Sequence, residues 1–252
     1  MYADFAYIYD KLMYDIDYSL WADYIEKIFD RNNIRPKIVA DLGCGTGSFC
    51  IEMCRRGYDM IGIDMSEDML SCALIKAMEA NLPDEKLLLL NQDMTEFELY
   101  GTVDVIVSLM DSINYVVNIR KLKKMFKLVW NYLNNDGLFI FDINSIYKFE
   151  NILNNNTFHY IDDDIAYIWE NDYNKKSKIC QFDITFFVRD GELFRRFDEI
   201  HYERAYSIEE LTSIATECGL KVENVYDSLT FNKPNDQSER IFFVLKKTAR
   251  NS

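Results

Sequence analysis

Lys37-Ile-Val-Ala-Asp-Leu-Gly-Cys-Gly-Thr-Gly47 decides the fold. Its first half is a short apolar run rich in β-branched residues, and its second half is a glycine turn. A buried strand that breaks into glycines and then a helix, here Ser48 to Arg56 ended by Gly57, opens a βαβ unit. The alternation continues outward from there. A strand over 58–63 ends at Asp64. Ser66 caps a helix to about Ala80, with Glu67 and Asp68 in its first turn. Strands follow over 86–90 and 103–109, then a helix over 119–133. Asn134-Asn-Asp-Gly137 reads as a turn into a fifth strand over 138–143. Near-continuous apolar strands separated by helices predict a mostly parallel sheet covered on both faces.

On the N-terminal side, Asp17 or Ser19 can cap a helix carrying Leu20, Trp21, Tyr24, Ile25, Ile28 and Phe29 at helical spacing, closed by Pro36. On the C-terminal side the pattern changes after Asn156. Residues 158–206 are strand-like and dense in Phe, Tyr and Trp, with a tight turn at Arg189-Asp-Gly191. Ser207 then caps a helix to Cys218, and strands over 221–226 and 240–246 complete the sheet. The expectation is an α/β Rossmann-like, seven-stranded sheet from residues 1–156 and 205–252. An antiparallel β cap, residues 157–204, is inserted into it and expected to choose the substrate.

The chain has 252 residues, enough for one α/β domain with an insertion. With 28 basic against 42 acidic residues, its net charge is −14. That argues against naked nucleic acid as a partner, because each phosphate contact needs a local Lys or Arg. No stretch has the length of a membrane span. The start has neither a basic segment nor a long apolar run, so a cytoplasmic protein is expected. The six cysteines (Cys44, Cys50, Cys54, Cys72, Cys180 and Cys218) form no C-x-x-C pair and are expected to be free thiols. With only two histidines, no metal site is expected. The basic run Arg120 to Lys127 reads as a solvated helix face.

The glycine loop departs from the dinucleotide pattern, since Ser48 stands where a third glycine would fall. Asp41, two residues before Gly43, would repel a pyrophosphate but suits an ammonium. A nucleoside carrying a cation is the implied ligand. Asp64, 21 residues after Gly43, stands where a carboxylate accepts ribose hydroxyls. Asn91-Gln-Asp-Met94 and Asp111-Ser-Ile-Asn-Tyr115 follow the third and fourth strands, at the end where open α/β sheets bind ligands.

On D-L-G-C-G-T-G, G-I-D-M-S, N-Q-D-M and D-S-I-N-Y, the chain resembles the class I S-adenosylmethionine-dependent methyltransferases. It is more closely similar to clostridial and bacillar members, and to small-molecule N-methyltransferases that act on glycine or amino sugars. The resemblance covers nearly the whole chain. It implies S-adenosylmethionine as methyl donor and S-adenosylhomocysteine as product. It implies that Gly43, Cys44, Gly45 and Gly47 form the loop under the methionine part, and that Asp41 anchors that loop or the amino group. Asp64 would bind the ribose, Met65 would pack on the adenine, and Asp93 and Met94 would hold the adenine edge. Leu109 would lend backbone near the amine. In Phe5-Ala-Tyr-Ile-Tyr-Asp10 the resemblance implies a segment that closes over the cofactor, with Tyr9 and Trp21 as covers.

Methyl transfer from a sulfonium needs alignment, and a base only where the acceptor starts protonated. His201, Tyr9 and Asn114 are the candidate catalytic residues, with Glu170, Asp198 and Glu199 as candidate acidic partners of an amine. The expected acceptor is a small-molecule amine or hydroxyl. The alternatives are a noncatalytic cofactor-binding module, or transfer to protein or RNA. An aminopropyltransferase and a nicotinamide oxidoreductase fit the motifs less well.

Overall fold

The computed structural model describes residues 3–13 and 15–248. The side chains of Phe5 and Tyr7, part of the expected covering segment, lie outside the described residues. The main sheet contains β1 (Ile38–Leu42), β2 (Asp59–Asp64), β3 (Leu87–Asn91), β4 (Val103–Ser108), β5 (Leu133–Asn144), β10 (Leu220–Asp227) and β11 (Arg240–Lys247). Their order is β10-β11-β5-β4-β1-β2-β3. β11 pairs antiparallel with both neighbours, and the pairings from β5 to β3 are parallel. The strand order reverses at β1, which lies between β2 and β4. A crevice therefore opens beyond the carboxyl ends of β1 and β4.

Alternation along the strands sends side chains to two cores. Leu138 and Ile140 of β5 face one core, with α2 (Tyr18–Arg31) and α3 (Ser48–Arg55). Phe139 and Phe141 face the other, with α5 (Ile119–Tyr132) and α6 (Ile208–Glu217). There Phe141 stacks on Phe243 at 4.9 Å. Among the described residues four helices start on a side-chain cap, Asp17 for α2, Ser66 for α4 (Glu67–Glu79), Asn118 for α5 and Ser207 for α6. Asp17, rather than Ser19, accepts from Leu20 N at 3.0 Å. Ser66 heads α4 by accepting from Met69 N at 3.2 Å.

Asn134–Gly137 is not a free turn. β5 already begins at Leu133, and its register against β4 shifts between Val103 and Val105. The polar residues form a bulge, because Asn134 donates to Asp104 at 2.8 Å and keeps the segment on the neighbouring strand.

The insertion is a separate antiparallel sheet of β6 (Thr157–Ile161), β7 (Ile165–Asn174), β8 (Ile179–Asp190) and β9 (Leu193–Arg204), in that order. Gly191, at φ +63°, makes the expected hairpin turn between β8 and β9. Its inner face packs Tyr173, Cys180 and Phe182 on Phe149 and Leu153 of a π-helical segment, Lys148–Leu153. Ile165 and Phe186 pack on Ile8 of α1 (Ala3–Leu12). The cap thus bridges the end of β5 and the first helix, and it roofs the crevice. Among the described residues all six cysteines are free, no His/Cys/Asp/Glu cluster could hold a metal, and no helix is long and apolar enough to cross a membrane.

Candidate functional site

A single cavity of about 480 Å³ runs from the glycine loop to the inner face of the cap, within the size range of small-ligand sites. At the loop end, Gly43 N and Cys44 N both donate to Ile63 O of β2, at 2.8 and 3.0 Å. Gly45 N donates to Asp64 Oδ2 at 2.9 Å, and Ser66 N to Asp64 Oδ1 at 2.9 Å. The loop and Asp64 are therefore one rigid unit. Each Asp64 oxygen keeps a lone pair for a ligand hydroxyl. Burial raises the Asp64 carboxyl above its ordinary value, while these backbone donors pull it back.

Gly43 and Gly45 need no side chain for different reasons. A Cβ on Gly43 (φ +79°) would meet Ser112 Oγ at 2.9 Å. A Cβ on Gly45 (φ +53°) would meet nothing within 4 Å, because it would project into open space beside the loop. That is a cradle in which backbone can approach a ligand. Gly47 lies outside the cavity lining, and a Cβ there would strike Ala73 at 2.8 Å. Its lack of a side chain lets α3 pack on α4.

A small side chamber, about 50 Å³, adjoins the loop and is lined by Asp41, Cys44 and Leu109. Asp41 is 3% exposed. Burial pushes its carboxyl up to about 7, and Cys50 Sγ donates to it at 3.4 Å. It is a poorly solvated carboxylate that a ligand ammonium would satisfy.

Met65 and Met94 line the cavity, Met65 with 69% of its surface exposed. Asp93 is not among the lining residues. Its carboxylate accepts from Thr95 N at 2.7 Å and pairs with Lys121 at 3.4 Å, and these hold it low. Three lysines of the expected solvated helix face are paired: Lys121 to Asp93, Lys123 to Glu217 and Lys124 to Glu96.

Tyr9 and Trp21 both reach the cavity. Tyr9 sits on α1, which is pinned beside the glycine loop by the next residue. Thr46 Oγ1 donates to Asp10 at 2.6 Å, and Lys76 Nζ of α4 donates to the other Asp10 oxygen at 2.6 Å. Burial raises the Tyr9 phenol, so it stays neutral. Trp21 packs on Phe242 at 5.5 Å and lies under the Arg240 guanidinium. It is core and lining at once.

The turn after β4 carries strain at Met110 and Asp111, both at φ +55°. Buried Asp142 holds it by accepting from Met110 N at 2.7 Å and Asp111 N at 3.0 Å. Arg240 from β11 bridges Asp142 and Asp111. The sequence does not show this network, because its members come from the turn after β4 and from two other strands far apart along the chain.

Asn114 is not in the cavity lining, against expectation. Its amide donates to Arg204 O at 2.9 Å, and its oxygen accepts from Asn144 N at 3.0 Å. It stitches the ends of β5 and β9 and is fully buried. The strand ends it joins do reach the cavity. Asn144, Lys148 and Glu203 line it, with His201 two residues earlier on β9. Glu199, His201 and Glu203 share the buried face of β9 by alternation, and Glu199 lies beyond the lining. Asp198 points outward to Thr185 and Arg196, and Glu170 is exposed on β7. Neither serves the cavity, because both fall on the wrong parity of their strands.

Comparison with known proteins places this arrangement. The family described as "Methyltransferase domain" matches residues 39–137. A Bacillus subtilis protein with a provisional methyltransferase description is 34% identical, over 98% of this chain and 98% of its own length. A solved S-adenosylmethionine-dependent methyltransferase from Clostridium acetobutylicum is 38% identical with a TM-score of 0.89, covering 98% of this chain and 99% of that one. A sugar N-methyltransferase from a Streptoalloteichus species shares the fold at a TM-score of 0.80 and 16% identity, over 96% of this chain and 93% of that one.

Proposed function

This chain belongs to the S-adenosylmethionine-dependent methyltransferases, and on that premise we propose that it methylates a small molecule bearing an amine or hydroxyl. The observation that carries this reading is the cavity itself. It is roofed by an aromatic cap and has a volume suited to a nucleoside donor beside a small acceptor, rather than to a polymer strand. The fold shared with a sugar N-methyltransferase is consistent with it.

The donor supplies a methyl group already activated as a sulfonium. The chain's own residues do the rest. Asp64 would accept the ribose hydroxyls, and the backbone around Gly45 would pass beneath the methionine part. Asp41 and Leu109, which line the side chamber, would receive the amino group, and Met65 and Met94, which line the main cavity, would flank the adenine. Tyr9 and Trp21 close the middle of the cavity. The cap, residues 157–204, holds the acceptor against this platform and keeps water out. Proximity and alignment of this kind can supply about 7–11 kcal/mol of barrier reduction.

Release of S-adenosylhomocysteine should appear with small amines or alcohols. Parallel incubations with total tRNA and with an undigested protein extract should take up no labelled methyl. Label entering either polymer, with none in the small molecules, would replace this reading.

A further inference from the structure

The cap side of the cavity is aromatic and aliphatic except near Glu203. This residue is 2% exposed and lines the cavity. Its Oε2 accepts from Asn144 Nδ2 at 3.1 Å. Among the described residues no group donates to Oε1. The groups facing Glu203 come from every element packed around it: Asp111 after β4, Lys148 on the π-helical segment, Arg240 on β11 and Cys180 opposite on β8. The two cations are already engaged. Lys148 Nζ donates to Asn144 Oδ1 at 2.8 Å, and Arg240 is held between Asp111 and Asp142. Asp111, Asp142 and Glu203 against Arg240 and Lys148 leave one carboxylate without a cation. A buried carboxylate is costly unless something pairs with it.

We infer that Glu203 receives the acceptor as an ammonium ion and takes its proton, so that this enzyme is an N-methyltransferase. The inference rests on the small-molecule reading above. The ammonium passes one proton to Glu203 and leaves a neutral amine with a lone pair. That pair forms the N–C bond to the donor's methyl group. The C–S bond breaks with its electrons going to sulfur, giving neutral S-adenosylhomocysteine and a methylammonium product. Glu203 then returns its proton to solvent when product leaves.

His201 also lines the cap side of the cavity and could take a proton, and burial decides between it and Glu203. Removing water favours the neutral form of each side chain. A carboxylate becomes neutral by gaining the proton, whereas an imidazole becomes charged. Burial accordingly raises the Glu203 carboxyl well above its ordinary range and lowers the His201 imidazole. The proton goes to Glu203.

The test uses matched probes: phenethylamine, cyclohexylamine and glucosamine against 2-phenylethanol, cyclohexanol and glucose. Amines should be methylated and alcohols not. For wild type, kcat/KM should be bell-shaped in pH, rising with Glu203 ionisation and falling with deprotonation of the free amine. Glu203→Gln should keep donor affinity and lose at least 100-fold in kcat/KM near neutral pH. Its profile should become a single limb rising to the amine's own pKa. His201→Ala should cost less than tenfold. A measurement on wild type alone stands beside these variants. Binding of phenethylamine to the protein–S-adenosylhomocysteine complex, titrated in buffers of different ionisation heat, should release about one proton at pH values below the rising limb of kcat/KM and none above it. Transfer to alcohols but not amines would overturn the inference and leave the small-molecule reading intact. Transfer to neither would remove both. An unaltered pH profile in Glu203→Gln, or a flat proton count in wild type, would return Glu203 to a structural role.

Discussion

Asp64 illustrates how one side chain can brace the fold at a cavity wall. Its two oxygens tie Gly45 N and Ser66 N together while facing the cavity. Asp64→Ala should weaken S-adenosylmethionine binding by about 1.5–3 kcal/mol, more than tenfold in Kd, as read by calorimetry. Unchanged affinity would remove Asp64 from the donor site. Asp41 makes a second claim at this scale, through pH. Its carboxyl has a folded value of about 7 against 3.8 in the unfolded chain. The folded state therefore holds the proton more tightly. The stabilisation is complete below about pH 3.8 and is lost as pH rises towards 7. Asp41→Asn should flatten that decline in the absence of donor. It should raise stability at pH 8 by at most about 4 kcal/mol and leave pH 4 nearly unchanged, as measured by denaturant melts. A variant less stable than wild type at pH 8 would show that the carboxylate is better solvated than its burial implies.

Among the elements, α1 matters through one residue. Asp10 bonds the loop at Thr46 and α4 at Lys76, and so holds Tyr9 over the cavity. The Asp10–Lys76 pair is about one third exposed, so its contribution must be discounted for solvent screening, to about 1 kcal/mol. Asp10→Ala should loosen α1 and weaken donor binding about fivefold, mostly through faster dissociation. Hydrogen exchange should rise in residues 3–13 and not in α3. If exchange in α1 stays at the wild-type rate, packing of Ile8 on Ile165 and Phe186 is what holds the helix.

The whole molecule divides its work between a platform and a roof. Deleting residues 157–203 with a short linker should leave a sheet that still binds the donor, more weakly because Tyr167, Trp169 and His201 no longer enclose the cavity. Transfer to any acceptor should vanish. The exposed Phe149 and Leu153, which the cap covers, should lower stability, and saturating donor should recover part of it. At 100 times Kd that recovery is about 2.7 kcal/mol. Calorimetry and product release on the same preparation separate the two effects. Normal transfer without the cap would assign acceptor choice to the platform.

The sheet, the loop and the insertion are legible along the chain, because each rests on local chemistry. An apolar run, a glycine turn and a capped helix have one economical arrangement, and Gly43, Gly45 and Asp64 follow from its spacing. Asp17, Ser66 and Ser207 could be read as caps for the same reason. The places where that reading fails are the places where distant strands meet. Asn114 looks like a free amide until β5 and β9 close on it. Nothing local announces Ala73 of α4 against Gly47. Strand parity, which a cap of uncertain register hides, turns Asp198 outward and Glu203 inward. Only the tertiary structure brings Asp111, Asp142 and Arg240 together and leaves Glu203 short of a cation. Burial and electrostatic pairing depend on which residues become neighbours in space, and the spacing of letters along the chain does not carry that information.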